Sequence, residues 1–275
     1  MSHIAITVSA PSELKDILVA QLADVGYEGF EETADTLVAY IPTIQFEENT
    51  LLGILGSHGL DYTKETIAQA NWNAVWESNF QPVLVDGFCG IRAGFHESLQ
   101  GQVLHEIIIT PKMSFGTGHH ATTYSVIKLM EDINIKGKKV FDFGTGTGIL
   151  AILADKIDAA LADAIDNDSW AVDNAIENVV ANGVRNVRIW RADNLEAIAD
   201  GAYDILLANI NRNILLANMA HMKRIMKPDG LLILSGILQE DETVIVTAAE
   251  SQNLYLERKA SRDNWLAISF KAGNS

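Results

Sequence analysis

The sequence predicts an α/β protein: an open, mainly parallel sheet covered by helices on both faces, preceded by a small α+β unit. Three observations predict it. From Lys139 onward, short apolar strands alternate with helical stretches, the pattern of parallel strands joined by crossover helices. Two late strands, 254–259 and 265–270, are separated only by the polar Ser261-Arg262-Asp263-Asn264. That link is too short for a crossover helix, so this pair must run antiparallel. Residues 1–69 read β-α-β-β-α-β, the order of a ferredoxin-like unit.

In that first unit, the alternation Ile4-Ala5-Ile6-Thr7-Val8 marks a strand, and 11–23 a helix stopped by Gly26. Two β-like runs, 27–31 and 36–41, flank the polar Thr33-Ala34-Asp35 and suggest a hairpin. Helical spacing over 46–55 ends at Gly56 and Gly59, and 61–67 supplies a last strand. Trp72, Trp76 and Phe80 then fall on one helical face. Residues 70–82 are read as a linker helix packed through that aromatic stripe, with Pro82 ending it.

Composition narrows the class. The chain has 275 residues, 48% hydrophobic and 20% charged, as ordinary globular proteins have. No stretch approaches the roughly 18 apolar residues of a membrane helix, and Met1-Ser2-His3-Ile4 lacks the basic start of a signal peptide. Cys89 is the only cysteine, so no internal disulfide or cysteine-based zinc cluster is possible. No metal site is assigned, and a reducing, cytoplasmic setting is expected. Net charge is -16, and residues 1–70 hold only Lys15 and Lys64 against eleven acids. Such a surface repels phosphate backbones and attracts basic partners, so neither nucleic-acid nor membrane binding is expected.

In the second part, 83–92 and 103–110 read as strands, then comes Pro111-Lys112-Met113-Ser114-Phe115-Gly116-Thr117-Gly118-His119-His120, then a helix over 121–131. Seven strands follow: 139–143, 162–165, 187–191, 203–208, 231–235, 254–259 and 265–270. A parallel sheet closing in an antiparallel pair is typical of class I (Rossmann-like) methyltransferase domains.

The motif that carries chemistry is Asp142-Phe143-Gly144-Thr145-Gly146-Thr147-Gly148, between an apolar strand and an apolar helix. Glycines let backbone approach a ligand without Cβ clashes, and amides at the helix start favour an anion. The spacing differs from the G-x-G-x-x-G of nicotinamide sites and suits a cofactor without a pyrophosphate, such as S-adenosylmethionine. Asp166 stands just past the next strand, where an acid accepts bonds from ribose hydroxyls. Asp193 ends the third strand, where it either meets the adenine amine or caps a helix. Asn209 ends the fourth strand, beside the position expected for the methyl group and its acceptor; its alternative role is capping the next helix.

Phe115-Gly116-Thr117-Gly118-His119 with Thr122-Thr123, then Asp142 to Gly148, Ala208-Asn209-Ile210 and Ser235-Gly236-Ile237 resemble the ribosomal-protein methyltransferase A (PrmA) family. These bacterial enzymes modify large-subunit ribosomal protein eleven. The resemblance spans the whole chain, and the Phe-Gly-Thr-Gly-x-His loop is its most specific element. It implies cofactor contacts at Thr123, Gly144, Asp166 and Asn209, with Gly146 in the same turn. It also implies substrate recognition by residues 1–69 and catalysis by 83–275. Two departures stand out: Gly-Thr-Gly-Thr-Gly where the family often has Gly-Cys-Gly-Ser-Gly, and Pro-Lys-Met-Ser where Pro-Gly-x-Ala is usual.

The reaction expected is methyl transfer to lysine or N-terminal amines, with Asn209 positioning the acceptor. His119 is a candidate base, though in a glycine-rich loop it reads better as holding that loop over the cofactor. Two alternatives stand beside this reading. A methyltransferase of RNA or DNA bases would carry Pro-Pro and an aromatic after Asn209 to stack the base; Ile210-Asn211-Arg212 stands there instead. As an RNA-recognition module, the first unit would need paired strand aromatics, and Tyr40 stands alone. A non-catalytic cofactor-binding protein is the other alternative.

Overall fold

The computed structural model of the chain describes residues 3–33, 35–67, 81–110 and 120–273. Stretch 72–80 with its aromatic stripe and loop 111–119 with His119 lie outside them. The chain divides into two units, Met1–Phe80 and Gln81–Ser275.

The first unit runs β1 (His3–Ser9), α1 (Ser12–Asp24), β2 (Gly29–Glu32), β3 (Thr36–Pro42), α2 (Glu48–Ser57), β4 (Tyr62–Ile67). Its sheet has the order β2-β3-β1-β4, with every neighbouring pair antiparallel. That is the ferredoxin-like topology expected. The period of two in the strands puts Ile4, Ile6, Val8, Leu37, Ala39 and Ile41 in one core with Leu18, Leu22, Leu51 and Leu55 of the helices. Each fully buried Leu or Ile contributes roughly 1.5–3 kcal/mol. Both helices end in the same left-handed glycine device. Gly26 (φ 98°) and Gly59 (φ 69°) let Tyr27 and Leu60 donate back to Leu22 and Leu55, satisfying carbonyls the helix leaves open. Gly56, expected to end α2, instead lies in its last turn.

The second unit opens with a three-stranded sheet, β5 (Val83–Val85), β6 (Cys89–Ala93) and β7 (His105–Ile109), in that order. The single strand expected over 83–92 is therefore two. Asp86 adopts φ 49° and Phe88 donates to the Val85 carbonyl, which folds the run into a tight hairpin. Then follow α3 (Ala121–Glu131), β8 (Lys139–Phe143), α4 (Ile149–Lys156), β9 (Leu161–Asp166), α5 (Ser169–Asn182), β10 (Val187–Arg191), β11 (Tyr203–Asn209), α6 (Arg212–Ile225), β12 (Met226–Leu238), α7 (Glu242–Glu250), β13 (Leu254–Arg262) and β14 (Trp265–Ala272).

Strands β8 to β14 form one sheet in the order β10-β9-β8-β11-β12-β14-β13. The first five run parallel, and β14 lies antiparallel between β12 and β13. Asp263 and Asn264, with φ of 48° and 67°, make the two-residue turn whose twist suits a hairpin. Central strands are covered on both faces: Ile205, Leu206, Leu207 and Ala208 are all buried, as are six successive residues of α4, Ile149 to Ala154. Sheet order reverses between β8 and β11, and ligands of such sheets bind beyond the strand ends at that point. No helix among the described residues is long and apolar enough to cross a membrane.

Candidate active site

At the carboxyl end of β8 the chain must reverse into α4 within five residues, and glycine makes this possible. Gly144, Gly146 and Gly148 have φ of 75°, 56° and 82°, where a side chain costs roughly 1–2 kcal/mol. Space is equally limiting at Gly144, where an added Cβ would stand 2.2 Å from Cγ2 of Ile210. Ile210 also crowds Gly236, whose added Cβ would lie 2.1 Å from the Ile210 carbonyl oxygen. The β11–α6 segment is thus wedged between two glycines, which requires both.

Four of the turn's amides are engaged within the protein. Gly144 and Thr145 both donate to the Ile165 carbonyl, at 2.9 and 3.0 Å, and Gly148 donates to Thr145 at 3.0 Å. Gly146 donates to Oδ2 of Asp166 at 2.9 Å. These four N–H groups are spent inside the protein, so the turn shapes the cleft and fixes Asp166. Asp166 also accepts from the Asp168 amide at 3.0 Å through Oδ1. A carboxylate has about four acceptor positions, so one remains on each oxygen in a fixed orientation.

Beneath the turn, Asp142 is 1% exposed. Its Oδ2 accepts from the Thr145 hydroxyl at 2.5 Å, while Oδ1 has no partner among the described residues. Burial pushes its carboxyl up to about 7, against the Thr145 hydroxyl and the Ala151 amide and with help from the charge on Asp166.

Asn209 is buried at the end of β11, and its Nδ2 donates to Oγ1 of Thr123 at 3.3 Å. Capping of α6 falls to Asn211, whose side chain accepts from the Ile214 amide at 3.2 Å, so Asn209 has no capping role. Its Oδ1 is buried with no partner among the described residues. An unpaired amide oxygen costs roughly 1–3 kcal/mol, and this one belongs to a residue lining the cleft. Asp193 lines the same cleft and accepts from Asn194 at 2.7 Å.

Together these residues border a cleft of about 410 Å³, lined by Gly144, Gly146, Asp166, Asp193 and Asn209, with Phe143, Ala192, Ile210, Ile214 and Trp265 as apolar walls. Thr123 borders a smaller hollow of about 20 Å³ behind the turn, beside Asn209. The expected residues Thr123, Gly144, Gly146, Asp166 and Asn209 therefore converge.

Sequence reasoning missed His120 and Trp265, which come from distant segments and meet edge-to-face at 4.6 Å. His120 caps α3, accepting from the Thr122 amide at 3.3 Å through Nδ1. That bond leaves the ring proton on Nε2. Burial holds its pKa below the usual histidine value, so near neutral pH the ring is uncharged. Its position ahead of Ala121-Thr122-Thr123 was the only signal available.

Comparison with known proteins decides the family. The family model described as "Ribosomal protein L11 methyltransferase (PrmA)" matches residues 12–273. The chain belongs to the ribosomal protein L11 methyltransferase family. Among family members, it is 40% identical over 262 residues to the "Ribosomal protein L11 methyltransferase" of Porphyromonas gingivalis, covering 93% of this chain and 90% of that one. With the protein of the same name from Bacteroides thetaiotaomicron it shares 37% identity over 263 residues, 94% of each. Its fold is similar to the crystal structure of a ribosomal protein L11 methylase from Lactobacillus delbrueckii subsp. bulgaricus. That match has a TM-score of 0.65 and 25% identity, covering 71% of this chain and 99% of the other.

Proposed function

We propose that this protein transfers methyl groups from S-adenosylmethionine to amines of ribosomal protein L11 in the cytoplasm. The observation that carries the reading is the pairing of a pre-oriented carboxylate with an unpartnered amide oxygen on one cleft. Asp166, held by the Gly146 and Asp168 amides, suits a ribose diol. Asn209 Oδ1 suits an N–H donor. A volume of about 410 Å³ lies in the range of small-ligand sites, and the apolar walls suit a nucleoside.

S-adenosylmethionine, when bound, would supply an electrophilic sulfonium methyl; the acceptor nitrogen would form its new N–C bond as the S–C bond breaks, and S-adenosylhomocysteine would leave. The chain's own residues bind and orient. Gly144 and Gly146 keep the turn clear of side chains, and Asp166 accepts from the sugar hydroxyls. Thr123 fixes the Asn209 amide so that Oδ1 accepts from the acceptor amine and aims its lone pair. Orientation of this kind contributes up to roughly 7–11 kcal/mol. A lysine amine, with pKa near ~10.4, must first lose a proton, and the apolar walls disfavour the ammonium form. His120, with Nδ1 already accepting from Thr122, acts as an N–H donor rather than as the base.

Residues 1–69, acidic and separately folded, are assigned to recognition of the basic substrate, 83–275 to catalysis, and 70–82 to their connection. No nucleic-acid contact is assigned. The test is incubation with methyl-labelled cofactor, purified ribosomal protein L11 and, separately, ribosomal RNA. Label on the protein alone is expected. Label on RNA, or on neither, overturns the reading.

A further inference from the structure

Helix α5 carries three asparagines one turn apart, Asn174, Asn178 and Asn182, and all three face β7. Asn182 accepts from the Ile108 amide at 2.9 Å and donates to the Ile108 carbonyl at 2.6 Å. Asn178 accepts from the Thr110 amide at 2.7 Å, and Asn174 donates to the Thr110 carbonyl at 3.1 Å. The match is geometric: a four-residue helical step covers about 6 Å, close to the roughly 6.6 Å of two strand residues. Side-chain amides thus stand in for a neighbouring strand along the open edge of β7, the last strand of its sheet.

Asn178 differs from the other two. Its Nδ2 reaches away from β7 and donates to the Thr147 carbonyl at 2.8 Å, inside the glycine turn. Both Asn178 and Thr147 are fully buried, so water has no access to replace that bond. Three residues earlier on α5, nearly a full turn, Ala175 packs against Gly148, where an added Cβ would lie 3.1 Å away. The turn is therefore pressed on α5 at Gly148 and tethered to it at Thr147.

We infer that Asn178 is a positioning residue for cofactor binding: one amide locks the Gly144–Gly148 turn to the backbone at Thr110. This inference rests on the reading of the cleft as the S-adenosylmethionine site. Without the tether, the buried Thr147 carbonyl loses its Asn178 donor, the turn relaxes, and binding must reorder it.

The ladder contains its own control. Asn182→Ala removes the same kind of β7 contact without touching the turn. Titration calorimetry with S-adenosylhomocysteine should show Asn178→Ala binding about tenfold more weakly than wild type, a loss of about 1.4 kcal/mol. Asn182→Ala should stay within about twofold even where its melting temperature falls as far. Asn178→Asp, which keeps the acceptor for Thr110 and loses the donor to Thr147, should behave like Asn178→Ala. In the wild-type protein, S-adenosylhomocysteine should slow hydrogen exchange at the Thr110 amide, a readout that holds if the Asn178 variants do not fold. Equal affinities of the Asn178 and Asn182 variants, or exchange at Thr110 indifferent to the ligand, overturn the inference. A wild-type protein that binds no S-adenosylhomocysteine instead overturns the cofactor reading itself.

Discussion

The two ends of the parallel sheet treat a half-buried acid, Asp204, and a fully buried one, Asp142, in opposite ways. At the amino end, Asp204 at the start of β11 accepts from the Lys139 amide at 2.9 Å and from Lys227 at 2.8 Å, with Lys138 3.9 Å away. Burial alone would raise its carboxyl, but Lys227, the Lys139 amide and Lys138 together hold it below the usual carboxylate range. At the carboxyl end, Asp142 on the adjacent strand has only neutral partners among the described residues, the Thr145 hydroxyl and the Ala151 amide, and burial pushes it up to about 7. Asn209, at the same end of the sheet, keeps an oxygen with no partner among the described residues. One end is satisfied from within the protein; the other keeps, in Asn209, a polar group on the cleft wall that has no partner among the described residues. Unspent hydrogen-bonding capacity, and not charge alone, separates the functional end from the structural one.

The contrast can be broken most severely at Gly144. Gly144→Val combines left-handed backbone strain with collision against Ile210, and should weaken S-adenosylhomocysteine binding by more than about 100-fold in calorimetry. Retained affinity would mean that the turn does not shape the cleft. Asn209→Ala should lower turnover roughly 100-fold, the scale of one preorganised polar contact at a reacting centre, while circular dichroism stays native. Unchanged turnover would count against its assigned role.

Asp142 gives a pH signature. Its folded pKa of about 7 lies above the ordinary 3.8, so between these values the native state binds the extra proton. Stability linked to this group is fully present below the ordinary value and is lost as pH rises through the window to about 7. Against Asp142→Asn, the wild type should therefore lose ground on raising pH, by at most about 1.4 kcal/mol per pH unit. Denaturant titrations at several pH values check this, and parallel curves would refute it. The smallest effect belongs to the satisfied end: Asp204→Ala should cost about 1–2 kcal/mol of stability and leave cofactor affinity unchanged.

Much of this contrast was legible in the sequence. Strand–helix alternation, the terminal strand pair and the glycine spacing place Gly144, Gly146, Asp166 and Asn209 at the correct strand ends, because those positions follow from topology. Hydrogen-bond destinations do not. Nothing in the chain order says that the turn's amides are consumed by Ile165 and Asp166, or that Asn211 and not Asn209 caps α6. Asn174, Asn178 and Asn182 look in sequence like a solvated helix stripe; only the nearby edge of β7 makes them a buried ladder. The division of 83–92 has a signal in the sequence, Asp86-Gly87, the pair that favours a two-residue hairpin turn, but the apolar residues on either side read as one continuous strand.

Strand β14 has a consequence for biosynthesis. It supplies Trp265 to the cleft and is the only strand bonded to both β12 and β13. A nascent chain extended only to Asn264 thus carries β13 without a neighbour and the pocket without one wall. Docking of β14 therefore completes the sheet and the cleft wall together, and the cleft is not finished before that strand is in place.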